Sequence, residues 1–155
     1  MNRERFASKM LILARECAEL HNINPIIAAS QACLETGYGK SILSKKANNL
    51  FGIQANDNWK GLKYPMKSRE FLSMRGLIVK KIFYRSYATW SDCFNDYFVE
   101  IGDCLLYDTQ TVNYKVKPML FLERIQPKED KEYGCVSDPR YREKILSIAK
   151  KWKWI

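Results

Sequence analysis

An apolar segment that ends in a glutamate and two glycines constrains this fold more than any other part of the sequence. Residues 25–36 read PIIAASQACLET, which is apolar on nearly every side of a helix, so we expect a buried helix there. Gly37 and Gly39 end such a helix, because glycine accepts the backbone of a C-terminal cap. The helix would deliver the carboxyl of Glu35 to a cleft. Apolar neighbours favour a raised pKa for that carboxyl, as a proton donor at neutral pH needs.

Length and charge limit the classes of protein and partner. The 155 residues indicate one domain over 1–155, and 46% hydrophobic with 13% aromatic residues exclude a disordered chain. The 26 Lys and Arg against 17 Asp and Glu give a net charge of +9. This balance favours an anionic partner, which could be nucleic acid, acidic lipid or a cell-wall polymer, and charge alone does not choose among them.

The cysteines and the N-terminal residues indicate the cellular compartment in which the chain is made. Five cysteines occur without a C-x-x-C spacing, which argues against a metal or redox site. Their odd number, and the apolar helical setting of most of them, predict buried reduced thiols and synthesis in the cytoplasm. The N-terminal residues lack the pattern of a secretory signal, and no run approaches about 20 apolar residues. We therefore expect neither a signal peptide nor a membrane span.

The hydrophobic periodicity predicts helices on both sides of a small β insertion. The other predicted helices lie over about 3–20, 40–46, 88–107 and 116–126, with a last one opening at Pro139. Two strand-like runs, at about 62–72 and 77–87, are joined near 73–76. This order predicts an α+β domain that is mainly helical, with a cleft between the helical part and a β-hairpin lobe.

Carboxylates are the strongest candidates for chemistry. His21 is the only histidine, and there is no G-x-S-x-G or phosphate-binding glycine motif, so nucleophilic and nucleotide chemistry are disfavoured. Glycoside hydrolysis needs a protonated carboxyl for the leaving oxygen, and Glu35 is the best candidate. The alternative is a glutamate in a final helical turn that only faces solvent.

Two neighbouring segments resemble the signature of a known family. Residues 31–41 (QACLETGYGKS) and 45–53 (KKANNLFGI) are similar to the peptidoglycan endo-β-N-acetylglucosaminidases, glycoside hydrolase family 73, which include flagellar and autolysin hydrolases. Residues 59–61 (WKG), 84–90 (YRSYATW) and 137–141 (SDPRY) resemble later segments of the same family. The similarity spans roughly residues 5–153.

The resemblance implies a lysozyme-like fold whose helical part carries the general acid and whose β-lobe, at about 57–88, faces it across a cleft. Carried over by position, the acid is Glu35. The family's second acidic position falls on Glu70, within the segment SREF at 68–71. An exposed strand carboxylate is the alternative for Glu70, since the N-acetyl group of the sugar can itself attack the anomeric carbon.

Aromatic side chains in or beside these segments are candidates for sugar subsites, because apolar sugar faces stack on rings. The candidates for substrate binding are Tyr38, Phe51, Trp59 and Tyr141, together with the amide of Asn49. A core function is the alternative for Phe51 and Trp59, and a structural function for Asn49. One departure stands at Cys135, which occupies the place of a family tyrosine.

The predicted function is hydrolysis of the β-1,4 bond that follows N-acetylglucosamine in peptidoglycan, without cofactor or metal. Peptidoglycan glycan strands and anionic wall polymers are the expected partners of a monomer that binds no specific nucleic acid. A phage endolysin or a component of a wall-crossing machine, acting on the bacterial wall, is the expected setting. The alternatives are a lysozyme-type muramidase and a non-catalytic basic protein that binds cell wall or nucleic acid.

Overall fold

A computed structural model describes residues 1–72, 76–104, 113–125 and 138–155, with side chains omitted at Leu20, 68–72, 76–80 and 103–104. Six α-helices and one two-stranded antiparallel sheet form within these ranges. The elements are α1 (Arg3–Cys17), α2 (Pro25–Glu35), α3 (Ile42–Lys46), β1 (Lys63–Leu72), β2 (Gly76–Arg85), α4 (Trp90–Cys104), α5 (Pro118–Ile125) and α6 (Tyr141–Lys151). A short 3-10 turn, Ala18–Leu20, follows α1.

Helix α2 begins at a well-formed cap and is buried along its length. The side-chain oxygen of Asn24 accepts hydrogen bonds from the backbone N–H groups of Ile26 and Ile27, at 2.9 and 3.3 Å. Pro25 occupies the first turn, where its missing N–H costs nothing. Residues 27–33 are all buried, and the helix packs against α1 and α6. The predicted helix is confirmed to within one residue at its end.

The end of α2 turns tightly against α1. Gly37 and Gly39 have φ angles of +56° and +76°, in the left-handed region. The Gly39 N–H donates to the hydroxyl of Thr36 at 2.8 Å, which closes the turn. A Cβ on Gly39 would lie 2.5 Å from Cε2 of Phe6, whereas one on Gly37 would meet nothing within 4 Å. The second glycine therefore allows the chain to pass directly over the core.

The core draws side chains from five of the helices. Its fully buried aromatic and large aliphatic members include Phe6 and Met10 of α1, Ile27 of α2, Phe94 and Phe98 of α4, Phe121, Leu122 and Ile125 of α5, and Ile145 of α6. This set belongs to one contiguous cluster. Helix α2 thus lies inside a helical core, as its apolar sequence requires.

The two strands pair as an antiparallel hairpin, with Tyr64 opposite Tyr84 and Glu70 opposite Ile78. The base of the hairpin is joined to the helical part by backbone hydrogen bonds. Arg85 N–H donates to the carbonyl of Ile53 at 3.0 Å, and Tyr87 N–H donates to the carbonyl of Ala47 at 2.9 Å. The predicted strands are confirmed, although β2 ends two residues earlier than expected because these bonds lead out of the sheet.

Four helices begin two residues later than predicted, and two of them are α3, at Ile42 instead of 40, and α5, at Pro118 instead of 116. The other two are α4 and α6. Helix α4 was expected from 88 and begins at Trp90, because Thr89 and Asp92 form a reciprocal cap. Helix α6 was expected to open at Pro139 and begins at Tyr141, after a turn in which Asp138 accepts a hydrogen bond from the N–H of Arg140.

Three cysteines have described side chains. Cys17, Cys33 and Cys93 are unpaired, and the last two are buried. Burial raises the pKa of Cys33 and of Cys93 to about 12, so both are neutral thiols at physiological pH. The predicted burial holds for Cys33 and Cys93, whereas Cys17 is only half-buried because it lies at the end of α1. The side chains of Cys104 and Cys135 lie outside the described part of the chain.

Two features of the described ranges concern membranes and metals. No helix there is both long enough and apolar enough to cross a membrane. Within the same ranges, His, Cys, Asp and Glu side chains do not gather in groups of three or more that could hold a metal ion.

Replacing each helix-ending glycine by alanine should separate backbone strain from a clash. Gly37→Ala should lower the free energy of unfolding by about 1 kcal/mol, through its left-handed backbone alone. Gly39→Ala should cost about 2–4 kcal/mol, because the new methyl also overlaps Phe6. Denaturant unfolding monitored by circular dichroism measures both, and equal losses would contradict the close approach to Phe6.

Candidate active site

Glu35 is the last residue of α2 and is held by residues at the start of α6. The residue as a whole is exposed, and its carboxylate is hydrogen-bonded to the Tyr141 hydroxyl. Asp138 and Lys144 lie close enough to act on its charge, and they form an ion pair with each other. Glu35 therefore combines access to solvent with a fixed neighbour on a second helix.

Opposing effects act on the proton affinity of Glu35. Desolvation of the carboxyl by surrounding protein is the largest effect and raises its pKa above the ordinary glutamate value. The hydrogen bond from Tyr141 and the charge of Lys144 act in the other direction, and the charge of Asp138 adds to the rise. The net result is a raised pKa, so this carboxyl keeps its proton to a higher pH than an ordinary glutamate.

A chain of buried polar side chains extends behind Glu35. Gln31 lies one turn earlier on the same side of α2 and is only 2% exposed. Its amide nitrogen donates to the Tyr141 oxygen at 3.1 Å. Its amide oxygen accepts a short hydrogen bond from the hydroxyl of Tyr97, on α4. Three helices thus meet through one connected set of polar groups.

The sequence pattern alone assigns no function to Gln31 or Tyr97. A signal was available for Gln31, because it is a polar residue inside a helix that is otherwise apolar nearly all round, and buried polar groups need partners. Tyr97 gave no such signal. Its hydroxyl meets Gln31 only because α4 crosses near α2, at a separation of 66 residues along the chain.

Phe51 lies next to this polar chain. Its ring stacks on that of Tyr97, with centroids 3.9 Å apart and planes at 17°, and it meets Phe94 edge-on at 5.2 Å. The side chain is half-buried. Phe51 therefore packs against one face of Tyr97, the residue whose hydroxyl bonds to Gln31 of α2.

Trp59 belongs to the region at the base of the hairpin. Its indole N–H donates to the carbonyl of Leu62 at 3.0 Å, and its ring lies 4.7 Å from the guanidinium of Arg85. Arg85 is buried and bonds to Asp96 and Glu100 of α4, at 2.9 and 2.6 Å. A cation held between carboxylates and an aromatic face ties the hairpin to α4, the helix that also carries Tyr97.

Two other predicted substrate-binding residues are engaged within the protein. Asn49 is 1% exposed, and its amide bonds to the backbone of Ile53 and of Arg85. The Tyr38 hydroxyl accepts a hydrogen bond from the indole of Trp152 at 3.3 Å, and the guanidinium of Arg3 lies 5.3 Å from its ring centroid. These hydrogen bonds and ring contacts join Asn49 and Tyr38 to other parts of the protein. That either residue binds substrate stays a prediction.

The predicted second acid is only partly described. Glu70 lies on β1 opposite Ile78, and its side chain is outside the described part of the structure. Cys135, at the place of the family tyrosine, also lies outside the described residues. The described site is therefore the pair Glu35 and Tyr141, the buried residues Gln31 and Tyr97 behind it, and Phe51 beside it.

The chemistry open to this site is proton transfer. An accessible carboxyl with a raised pKa can give a proton to a bound oxygen and take one back from water. Burial raises the pKa of Tyr141 above its ordinary value, so its hydroxyl stays protonated and acts as a donor.

The sequence matches a known family over nearly its whole length. Residues 12–153 match the Glucosaminidase family, described as mannosyl-glycoprotein endo-beta-N-acetylglucosaminidase. The chain is 29% identical to the peptidoglycan hydrolase FlgJ of Vibrio parahaemolyticus, over 96% of this chain and 47% of that protein. It is 29% identical to the exo-glucosaminidase LytG of Bacillus subtilis, over 86% of this chain and 46% of that protein. The chain thus spans about half the length of these curated relatives.

A solved structure shares the fold. The C-terminally truncated glycoside hydrolase domain of FlgJ from Salmonella typhimurium superposes with a TM-score of 0.74, at 20% identity and over 99% of both chains. This similarity confirms the predicted fold class, a mainly helical, lysozyme-like α+β fold with a small β-hairpin.

The raised pKa of Glu35 predicts a pH-dependent effect of Glu35→Gln on stability. A carboxyl whose pKa is higher in the folded state than in the unfolded state costs stability once pH rises through the folded value. Glutamine cannot ionise, so the stability of the variant relative to the wild type should increase between pH 4 and pH 8. Solvent screening limits the gain to roughly a few tenths of a kcal/mol. Thermal unfolding across this range measures it, and a gain that shrinks towards pH 8 would contradict the raised pKa.

Proposed function

Since the chain belongs to the Glucosaminidase family, we propose that it hydrolyses the β-1,4 glycosidic bond that follows N-acetylglucosamine in peptidoglycan. The observation that carries the proposal is the carboxyl of Glu35, which is accessible, desolvated and held by Tyr141. The relatives FlgJ and LytG support the substrate and the reaction, since they are a peptidoglycan hydrolase and an exo-glucosaminidase.

The proposed reaction begins with proton transfer from Glu35. The acid gives its proton to the glycosidic oxygen as the bond from that oxygen to the anomeric carbon breaks, which leaves an oxocarbenium-like centre. Water then attacks the anomeric carbon and gives a proton to the Glu35 carboxylate, which restores the acid. The raised pKa suits the first step, because the acid must be protonated at the pH at which the enzyme works.

A second group must stabilise the positive charge at the anomeric carbon. We propose Glu70 or the acetamido group of the substrate for this function. Glu70 is on β1, and the base of the hairpin is fixed to α4 by Arg85. Glu70→Gln distinguishes the two, because it should cost activity only if the protein carboxylate takes part.

Aromatic rings near Glu35 are proposed to bind the sugars. Phe51 is half-buried beside the described site, and Trp59 stands at the base of the hairpin. Tyr141 is only 5% exposed and offers a sugar no free ring face, which argues against the predicted stacking at that residue. Tyr38 and Asn49 are kept as candidates, although their described contacts favour positioning of the backbone over direct contact. Stacking on exposed ring faces would orient the glycan strand along the end of α2.

The proposed partners follow from charge and from the relatives. A net charge of +9 favours anionic wall polymers beside the glycan itself. The proposed place of action is the cell wall, in keeping with the substrate named for FlgJ. A monomeric state, and the setting as a phage endolysin or a component of a wall-crossing machine, stay predictions from the sequence.

Glu35→Gln should abolish hydrolysis of purified cell walls. Loss of the general acid removes a contribution of about 10²–10⁴ in rate, while the isosteric amide keeps the fold. Glu16→Gln, at an exposed glutamate on α1, is the matched control and should clear walls like the wild type. Turbidity loss measures both.

Mass analysis of the released fragments then separates the alternatives. Reducing ends on N-acetylglucosamine would support the proposed bond, and reducing ends on N-acetylmuramic acid would mean a muramidase. Equal clearing by Glu35→Gln and the wild type would contradict Glu35 as the acid. Wall binding without clearing by any variant would leave a non-catalytic binding protein.

Binding of the inactive Glu35→Gln variant to cell walls should weaken as salt rises, because mobile ions screen charges beyond about 10 Å at 0.1 M. Walls stripped of anionic polymers should bind less protein and show a shallower dependence. Co-sedimentation measures both. A salt-independent interaction, or a tight sequence-dependent shift of duplex DNA in a gel, would contradict this choice of partner.

A further inference from the structure

The hydrogen bonds behind Glu35 run in one direction. We propose that Tyr97 and Gln31 are positioning residues that keep the Tyr141 hydroxyl donating to Glu35, so that the proton of the Glu35 acid is directed to the substrate. This inference rests on the proposed function of Glu35. It concerns residues that touch neither the substrate nor the reacting atoms.

The amide of Gln31 gives the chain its direction. Its oxygen is occupied by the hydroxyl proton of Tyr97, and its nitrogen donates to the Tyr141 oxygen at 3.1 Å. An amide has different atoms at its two ends, so the Tyr97 proton decides which end faces Tyr141. If the amide were reversed, its N–H would face the Tyr97 oxygen and the Tyr97 proton would lose its acceptor, which is costly because Gln31 and Tyr97 are both buried.

The Tyr141 hydroxyl is then left with one hydrogen-bond acceptor among the described contacts. Gln31 presents an N–H to it, so the acceptor available to Tyr141 among the described contacts is the carboxyl of Glu35. When Glu35 is protonated, Tyr141 donates to its carbonyl oxygen, and the acid proton lies on the other oxygen. That oxygen is the one free to meet the glycosidic oxygen of a bound glycan.

Other titratable groups lie close enough to Glu35 to affect its pKa. From the start of α6 these are Asp138, Tyr141 and Lys144, and from α4 it is Tyr97. Asp138 and Lys144 are paired with each other. A variant that removes only the Tyr97 hydroxyl leaves these charges in place, and it keeps the ring that stacks on Phe51.

Tyr97→Phe should release the amide of Gln31. The amide can then turn so that its oxygen faces Tyr141, and the Tyr141 hydroxyl donates to that oxygen. The Tyr141 oxygen in turn accepts a hydrogen bond from the protonated carboxyl of Glu35. The protonated acid becomes more stable and less available. The pKa of Glu35 should rise by about half a pH unit, and kcat near neutral pH should fall about threefold to tenfold with KM unchanged.

Tyr87→Phe is the matched control. Tyr87 is also a buried tyrosine whose hydroxyl donates to a side chain, but its acceptor is Asp96, at 2.6 Å. Loss of this hydroxyl should lower the unfolding temperature without moving the pKa of Glu35. The comparison separates a positioning effect from a general loss of stability.

The experiment is a carbon NMR titration of the full chain labelled at the glutamate carboxyl carbons, with Glu35→Gln to assign the signal. The pH profiles of kcat and KM on purified glycan strands accompany it. Gln31→Met is a second variant, because it removes the N–H that occupies the Tyr141 oxygen. That oxygen can then accept the acid proton of Glu35, so the pKa of Glu35 should again rise. Thermal unfolding verifies that each variant is folded.

A Glu35 pKa that stays unchanged or falls in both folded variants would overturn the inference, whatever happens to kcat. Hydrolysis that survives Glu35→Gln would instead overturn the proposed function. The NMR titration still tests the hydrogen-bond direction in that case, because it needs no activity. A rise in the pKa for Tyr97→Phe and Gln31→Met, absent from Tyr87→Phe, is the supporting result.

Discussion

Helix α2 packs against α1 and α6, and its side chains from Ile27 to Cys33 have almost no contact with solvent. Burial of this kind holds a helix along its whole length, so the residue at its end has little freedom. Gly39 adds to the constraint, because the chain must cross Phe6 where a side chain would not fit. The position of Glu35 relative to α6 follows from this packing.

Buried polar groups in the same core also fix how the helices are arranged. Gln31, Tyr97 and Tyr141 satisfy one another across three helices, and a buried polar group left without a partner would cost stability. Their arrangement therefore admits few alternatives. Arg85 fixes the position of the hairpin, since its bonds to Asp96 and Glu100 hold the base of the sheet on α4. Both polar clusters include side chains of α4.

Local rules account for most of the elements. Asn24 and Pro25 mark the start of α2, the glycine pair marks its end, and aromatic and β-branched residues mark β2. Errors of two residues occur at helix starts, and at α4 and α6 the boundary is set by Thr89 with Asp92 and by Asp138 with Arg140. The ends of α1 and β2 also come two or three residues earlier than predicted. Several residues can cap one helix, so sequence spacing does not choose among them.

The sequence by itself determined the family, the helical fold with one hairpin, and a carboxyl at the end of an apolar helix, because these depend on local periodicity and on a contiguous motif. The partners of that carboxyl were decided only by the tertiary structure. Tyr97 and Tyr141 lie 66 and 110 residues from Gln31, and no local pattern records which hydroxyl meets which end of an amide. Hydrogen-bond direction depends on how helices cross, which is a property of packing in three dimensions.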